Sequence, residues 1–507
     1  MPVLPERFLA SPFKNIARLA AGDFAAKVLN FLAFVYLARA LGVEQFGIVE
    51  FAASLLTWFL LLGDGGLELW GTREAARAEN LAELVARILP LRLALATASF
   101  ALLAALALNR RLLPNGEALS LVLLLFGLSL FPNGLNLKWV FLGREQMGRV
   151  IAGLMIGQVV FLGGVLVLVR GSDPRAIYLA AGLRLASEIA MTGYFWLRFR
   201  REYGAIAGWG RASVRRAVTD LDEDGAKRAS RWENGSKLPH SIWRPALTMG
   251  AVQALGLLNY NFDAVLLGFL RGVREVGVYN AAYKVLTVAL AVPLAYFQGL
   301  FPALSRTWGE GAAALRGLAE RSLRLCAIVA IPIGVGGTLL AEPVVALLFG
   351  PQYAESAGPL KLLVWSAVLV ILRGSYRHGL NAAGMQNLDL RCAVASCSLN
   401  VGLNVVLIPR FGVMGAAAAT VTADVVWLAM AGWYFGRRIT PLGPASALAR
   451  PLLAGVVMAG TLWFAEPLFW MARAVLGVTV YFVVLLALGE PEVRGWLGIS
   501  ARSESER

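Results

Sequence analysis

Long apolar segments separated by short polar turns make up most of the chain, and one long polar stretch interrupts them. A membrane-spanning helix needs about 20 mostly apolar residues. We interpret fourteen segments as helical spans of this kind. They cover roughly residues 16–41, 46–70, 84–108, 118–142, 148–170, 176–199, 245–270, 277–303, 317–341, 358–384, 387–409, 412–436, 448–468 and 470–489. The pattern predicts an all-α integral membrane protein.

Two parts of this pattern occur twice. Gly272-Val-x-x-Val-Gly277 repeats Gly42-Val-x-x-Phe-Gly47, and both predict a short polar turn between apolar segments. The loop 143–146 likewise matches the loop 384–387. Repeats about 230 residues apart are too distant for a solenoid. They are typical of transporters with two homologous halves and a binding site between them. We therefore predict two six-helix lobes in parallel orientation, followed by two C-terminal helices.

The polar stretch separates the two predicted lobes. The predicted domains are an N-lobe (1–199), a linker (200–244), a C-lobe (245–436), the last two spans (437–489) and a tail (490–507).

An even number of spans places both termini on one side of the membrane. Lys and Arg are concentrated on that side, also when those of the linker are left out, which predicts cytoplasmic termini and linker. The first fifteen residues lack a signal-peptide layout, so we expect the first span to be retained.

Composition supports a membrane protein and excludes other classes. Hydrophobic residues make up 58% of the chain and charged residues only 16%, whereas soluble domains contain roughly 25% charged residues. The net charge of +15 raises the question of nucleic acid binding. The basic residues lie at the ends of apolar segments rather than on one polar domain, so no nucleic acid partner is expected. Three scattered cysteines form neither a disulfide framework nor a zinc pattern.

Several longer motifs resemble one known family. They are Tyr36-Leu-Ala-Arg-Ala-Leu-Gly-x-x-x-Phe-Gly47, Leu61-Leu-Gly-Asp-x-Gly-Leu67, Phe301-Pro-Ala-Leu-Ser-Arg306, Leu340-Ala-Glu-Pro-Val-Val-Ala-Leu-Leu-Phe-Gly350 and Pro409-Arg-Phe-Gly-Val-Met-Gly-Ala416. In this order they resemble the Wzx-type polysaccharide flippases, the polysaccharide transporter branch of the MOP exporter superfamily (multidrug, oligosaccharidyl-lipid and polysaccharide exporters). The resemblance extends from about residue 16 to residue 434.

The resemblance implies a fold and a function. The fold would be a MATE-like, two-lobed bundle of about fourteen transmembrane helices. The protein would be a transporter rather than an enzyme and would need no cofactor. It would move a polyprenyl-pyrophosphate-linked oligosaccharide, such as an O-antigen, capsule or exopolysaccharide repeat unit, across the bacterial inner membrane by alternating access. A polymerase and glycosyltransferases of the same pathway would be its partners.

Such a substrate needs cations for its pyrophosphate and hydrogen bonds for its sugars. Charged groups within spans are costly and usually face a bundle interior or a wet cavity. The predicted substrate-binding residues are Lys27, Asn30, Arg184, Asn280, Lys284, Arg373, Arg377 and Asn381. In the alternative interpretation, Lys27 and Arg184 pair with acids one turn away (Asp23 and Glu188), and the arginines near the cytoplasmic end extend to lipid headgroups.

A second set of polar residues within spans could couple transport to Na⁺ or H⁺. It comprises Asp263, Asn400, Asn404, Thr420 and Asp424, which lie on three predicted helices. Oxygen ligands of this kind bind hard cations, and aspartates in membranes often carry protons. The alternative is that they form hydrogen bonds between helices.

Three other functions compete with polysaccharide transport. A lipid-linked peptidoglycan precursor flippase would share the fold and a similar pyrophosphate. A MATE-type drug or cation antiporter is disfavoured by the positive groups within spans. A membrane glycosyltransferase or ligase needs a positioned acid, base or metal set. The short outer loops and the presence of only two histidines argue against such an enzyme.

Overall fold

The computed structural model describes residues 7–204 and 243–496, except for loop positions 110, 112, 115, 172 and 174. Regular structure in these residues is helical throughout, which confirms the predicted all-α class. Most of the predicted linker and most of the predicted tail lie outside the described residues.

The first nine helices precede Gly272. They are α1 (Arg7–Asp64), α2 (Leu67–Ala75), α3 (Leu81–Leu108), α4 (Gly116–Gly127), α5 (Leu130–Leu135), α6 (Lys138–Gly143), α7 (Met147–Leu168), α8 (Ala176–Tyr203) and α9 (Trp243–Arg271). Eight helices follow, with a 3₁₀ helix (Pro351–Ser356) between α12 and α13. They are α10 (Val273–Glu310), α11 (Ala312–Leu339), α12 (Ala341–Phe349), α13 (Ala357–Ala382), α14 (Gln386–Arg438), α15 (Pro444–Phe464), α16 (Trp470–Ala487) and α17 (Pro491–Trp496).

The chain forms two compact units, Met1–Gly277 and Val278–Arg507. In the first unit, α9 packs against α1 and α2, although the sequence assigns this helix to the second lobe. In the second unit, α13 packs against α11 and α14, and α15 packs against α11 and α16. The domain boundaries given above stay a prediction.

Ten helical stretches among the described residues are long and apolar enough to cross a membrane. Two of them, Phe24–Asp64 and Gln386–Arg438, contain 41 and 53 residues. A helix rises 1.5 Å per residue and the hydrocarbon core is about 30 Å thick, so each of these is long enough to cross twice. With α8 and α9, which are long but less apolar, the number of crossings is about fourteen, as predicted.

The polar turns predicted at the two repeats are shorter than expected. Gly42 alone interrupts α1, with a φ of 74°, and Gly272 alone separates α9 from α10, with a φ of 93°. The residues that follow each glycine are helical through Gly47 and Gly277. A glycine adopts positive φ without steric cost, so one residue is enough to redirect the helix.

Two predicted spans are broken, which corrects their extents. The span 46–70 ends at Asp64, because Gly65 and Gly66 adopt φ values of 55° and 82° before α2 begins. The span 118–142 consists of three short helices, α4 to α6. Breaks inside an apolar bundle leave backbone carbonyls that other groups must satisfy. A buried arginine of α3, described below, satisfies two of them.

The loops 143–146 and 384–387, which the sequence predicts to be equivalent, have the same backbone geometry. The residues that correspond to each other differ from those predicted. The amide of Gln146 donates to the carbonyl of Phe141, and that of Met385 donates to Leu380, both at 2.9 Å. This hydrogen bond is typical of a Schellman helix end, in which the preceding residue is left-handed. Glu145 (φ 56°) is therefore equivalent to Gly384 (φ 76°). The alignment of position 143 with position 384 is wrong by two residues.

Candidate functional site

A buried ion pair joins α13 to the second half of α14. Arg373 and Asp424 are 2% and 5% exposed, and Nη1 of the arginine lies 2.5 Å from Oδ1 of the carboxylate. Ser366, two turns earlier on α13, donates a hydrogen bond to the other carboxylate oxygen. Both oxygens of Asp424 are thus occupied by protein groups. Two residues predicted for different roles, phosphate binding and ion coupling, neutralise each other in this structure.

One turn further along α13, Arg377 is held in a different way. Its Nε donates to Oδ2 of Asp389, at the start of α14, over 2.9 Å. Asn381 donates to the same oxygen over 3.3 Å. The side chain of Arg377 is 41% exposed, and no described residue accepts a hydrogen bond from its two terminal amino groups. This end of the guanidinium can therefore take an anion from outside the protein.

An aromatic ring connects the two arginines. The guanidinium of Arg373 lies 3.9 Å from the ring centroid of Trp427, and that of Arg377 lies 5.5 Å from it. Trp427 follows Asp424 by one helical turn on α14 and is buried. We call Arg373, Arg377, Asp389, Asp424 and Trp427 the arginine–tryptophan cluster.

The other residues predicted for ion coupling are buried, and each has a hydrogen bond within its own helix. Asn404 donates to Oδ1 of Asn400 over 2.9 Å, and Thr420 donates to the carbonyl of Ala416. Asp263, in the first unit, accepts a hydrogen bond from the amide of Ala264. Among the described residues, Oδ1 of Asn404 has no hydrogen-bond partner. The carboxylate of Asp424, by contrast, is already engaged.

Arg184 and Lys27 are the predicted cations of the first unit. Arg184 lies 3.0 Å from Glu188, so its charge is neutralised on its own helix, as the alternative interpretation expects. Lys27 is exposed and Asn30 is half-buried. The side chain of Asp23 lies outside the described residues. In the second unit, Asn280 is buried and Lys284 is half-buried.

Our sequence interpretation missed the most buried arginine among the described residues of the first unit. Arg92 on α3 is 1% exposed and donates to the carbonyls of Asn136 at 2.9 Å and Asn133 at 3.1 Å. Its Nη2 also lies 3.3 Å from Asp64, the last residue of α1. The rule that in-span charges face the interior applies to Arg92 as well, so the signal was present in the span 84–108.

The carboxylate of Asp64 has a second role in the same network. It accepts hydrogen bonds from the amide of Glu68, in the first turn of α2. Glu68 in turn forms an ion pair with Lys138, at the start of α6, over 2.7 Å. The network thus joins the ends of the broken spans, which indicates a structural role.

The residues described above can bind a molecule through charge and hydrogen bonds. Their groups are ion pairs, amides and one exposed guanidinium, which are suited to hold an anionic, hydrogen-bonding substrate. Among the described residues, no group of three or more His, Cys, Asp or Glu side chains is placed to hold a metal ion.

Comparison with known proteins identifies relatives of both halves. The family model described as "Polysaccharide biosynthesis protein" matches residues 13–308, and the model "Lipid II flippase MurJ" matches residues 242–486. "Probable low-salt glycan biosynthesis flippase Agl15" of Haloferax volcanii is 22% identical over 89% of each chain. "Probable flippase AglR" of the same organism is 28% identical over 47% of this chain, which spans about half (52%) of that relative's length.

A solved structure, "Lipid II flippase MurJ, inward closed conformation", has the same fold. It superposes with a TM-score of 0.71 over 94% of this chain and 100% of that one, at 12% identity. This likeness confirms the fold predicted from the sequence. The first family model covers more than half of the chain. The chain therefore belongs to the polysaccharide biosynthesis protein family, the Wzx-like flippases, which are transporters and not enzymes.

Proposed function

We propose that this protein moves a lipid-pyrophosphate-linked oligosaccharide from the cytoplasmic to the outer leaflet of the bacterial inner membrane. The substrate would be an O-antigen, capsule or exopolysaccharide repeat unit, supplied by glycosyltransferases and passed to a polymerase. The description of the matching family and the name of the relative Agl15, a glycan biosynthesis flippase, support this class of substrate. Alternating access would consist of rocking of lobe 16–199 against lobe 245–436.

The geometry of Arg377 is the observation that carries this proposal. Its Nε is held by Asp389, while no described residue accepts a hydrogen bond from its two terminal amino groups. A guanidinium presented in this way suits bidentate contacts to phosphate oxygens. The contacts with Asp389 and Trp427 favour this role over an extension toward lipid headgroups. Lys27, Asn30, Asn280, Lys284 and Asn381 remain proposed cavity groups, whereas the charges of Arg184 and Arg373 are neutralised by neighbours.

A test of this proposal removes two of the cations. We expect Lys284→Ala combined with Arg377→Ala to leave lipid-linked oligosaccharide on the cytoplasmic leaflet while protein levels stay normal. Lectin access to the oligosaccharide in oriented vesicles measures the translocated fraction. The matched control is Arg87→Ala combined with Lys361→Ala, which removes two exposed members of surface ion pairs. Normal translocation by the Lys284 and Arg377 double variant would refute the phosphate-binding role.

We also propose that Na⁺ or H⁺ drives the cycle through Asp263, Asn400, Asn404 and Thr420, without Asp424, whose carboxylate stays paired with Arg373. Asp263→Asn should abolish any dependence of translocation on the Na⁺ or H⁺ gradient. If the dependence is unchanged in this variant, Asp263 is not a coupling residue.

A second candidate substrate is a lipid-linked peptidoglycan precursor, which the match of residues 242–486 to the MurJ family model favours. The two candidates differ in the sugar-linked part of the substrate. In proteoliposomes, a peptide-bearing precursor and a peptide-free oligosaccharide on the same lipid should be translocated at different rates. Preference for the peptide-free lipid supports polysaccharide export, and preference for the peptide-bearing lipid supports the second candidate.

A further inference from the structure

The arginine–tryptophan cluster contains one rigid end and one exposed end. At the rigid end, Arg373 and Asp424 are buried, and the second carboxylate oxygen is bonded by Ser366. A buried, fully bonded ion pair has little freedom to rearrange, because separating it leaves an uncompensated charge in an apolar medium. Asp424 and Arg373 thus form a rigid ion pair, called the frame below, that joins α13 to α14.

Trp427 is pressed against this frame. The residue is 6% exposed, and the centroid of its ring lies 3.9 Å from the guanidinium of Arg373. A cation over an indole ring is attracted by the ring quadrupole, and the attraction is stronger when both groups are desolvated. The buried end of the cluster therefore fixes the position of the indole ring as well.

The exposed end of the cluster is oriented by the same ring. Arg377 lies 5.5 Å from the ring centroid, and its Nε is bonded to Asp389. Two arginines one turn apart repel each other, but each has its own carboxylate, Asp424 or Asp389. The ring and Asp389 together restrict Arg377 from two sides, and the terminal amino groups remain exposed.

We infer that Trp427 is a positioning residue, which orients Arg377 for the pyrophosphate of the transported lipid. The inference rests on the proposed function. Bidentate contact with a phosphate depends on the direction in which the guanidinium points, and fixing that direction beforehand reduces the entropy lost on binding. Trp427 acts through Arg377 and does not itself contact the substrate.

The chain offers a matched control on the same helix. Trp433 also lies under an arginine, Arg437, at 5.2 Å, but Trp433 is 54% exposed. Trp433→Leu removes the same kind of ring and the same kind of contact away from the cluster. Trp427→Phe keeps an aromatic ring at the cluster, whereas Trp427→Leu removes it. Trp427→Met, also without a ring, replaces the leucine variant if that variant does not fold.

The experiment measures the Kd of the purified full-length protein for undecaprenyl pyrophosphate carrying one N-acetylglucosamine, with undecaprenol as the neutral probe. We expect Trp427→Leu to raise the Kd for the charged probe about tenfold, because Arg377 loses its orientation. Trp427→Phe should change this Kd by less than about threefold, since a phenyl ring still attracts the cation. Trp433→Leu should leave it unchanged.

A double-mutant cycle separates positioning from a structural role. If Trp427 acts through Arg377, Trp427→Leu should change the Kd by less than about twofold in the Arg377→Ala background. If Trp427→Leu raises the Kd tenfold in both backgrounds, the inference is overturned. It is also overturned if Trp427→Leu has the wild-type Kd while Arg377→Ala binds the charged probe weakly. If the wild-type protein does not prefer the charged probe, the proposed function fails first, and the inference fails with it.

Discussion

Gly47 and Gly277 lie against each other with almost no space between their backbones. A Cβ atom on Gly47 would overlap the carbonyl group of Val273. Reciprocally, a Cβ atom on Gly277 would overlap the carbonyl oxygen of Val43. A contact in which residue i of one copy meets residue j of the other, and the reverse, is produced by a two-fold relation. The two copies of the sequence repeat therefore pack on each other as a symmetric pair within the first unit.

Substitution of either glycine should destabilise the protein. We expect Gly47→Ala or Gly277→Ala to lower the free energy of unfolding by about 1–3 kcal/mol, because the backbones must separate to admit a methyl group. Denaturation with SDS in detergent micelles measures the change. Gly163→Ala on α7 is the control, since a Cβ there meets open space. Equal effects at Gly163 and Gly47 would contradict a role for close packing.

Arg92 should be among the residues on which the first unit depends most. Arg92→Leu leaves Asp64 without its cation and two backbone carbonyls without donors. We expect a loss of about 3–5 kcal/mol in unfolding free energy, as for other broken buried ion pairs.

Arg87, on the same helix, provides the comparison for Arg92. It forms an exposed ion pair with Glu83, with 53% and 57% of the side chains accessible. Arg87→Leu should change the unfolding free energy by less than about 1 kcal/mol. If both variants lose the same stability, the carbonyl contacts of Arg92 contribute little.

The contrast between Arg184 and Arg373 indicates how far a sequence can predict such a site. Hydropathy predicted the spans because a run of about 20 apolar residues is a property of each helix alone and does not depend on its neighbours. The partner of Arg184 is one turn away on the same helix, so spacing alone could suggest the pair. Arg373 pairs with a residue on another helix, and helix packing decides which side chains meet there. The same limit applies to the break after α5, because the carbonyls of Asn133 and Asn136 are satisfied there by Arg92 from a different helix.

Glu145 offers a stabilising substitution that the repeat itself suggests. It adopts a left-handed conformation (φ 56°). The equivalent residue in the second half, Gly384, adopts the same conformation (φ 76°). An L-residue with a side chain pays about 1–2 kcal/mol for this conformation. Glu145→Gly should therefore raise the unfolding free energy by about 1 kcal/mol.

Glu145→Ala separates backbone strain from charge at this position, because alanine keeps the strain and removes the carboxylate. Its unfolding free energy should stay within about 0.5 kcal/mol of the wild type. Equal stabilisation by Ala and Gly in the same SDS titration would mean that the charge, and not the backbone conformation, is unfavourable.

Variants of the buried pair of Arg373 and Asp424 should affect stability and substrate binding differently. Asp424→Leu leaves a buried, uncompensated guanidinium and should lower the unfolding free energy by about 3–5 kcal/mol. Adding Arg373→Met removes that charge as well, and replacement of both partners by apolar groups is often neutral. The double variant should therefore regain most of the lost stability in an SDS titration. It should still bind the pyrophosphate lipid weakly, because Trp427 no longer has a guanidinium to hold its ring. Recovery of normal affinity together with stability would show that the pair only supports the fold.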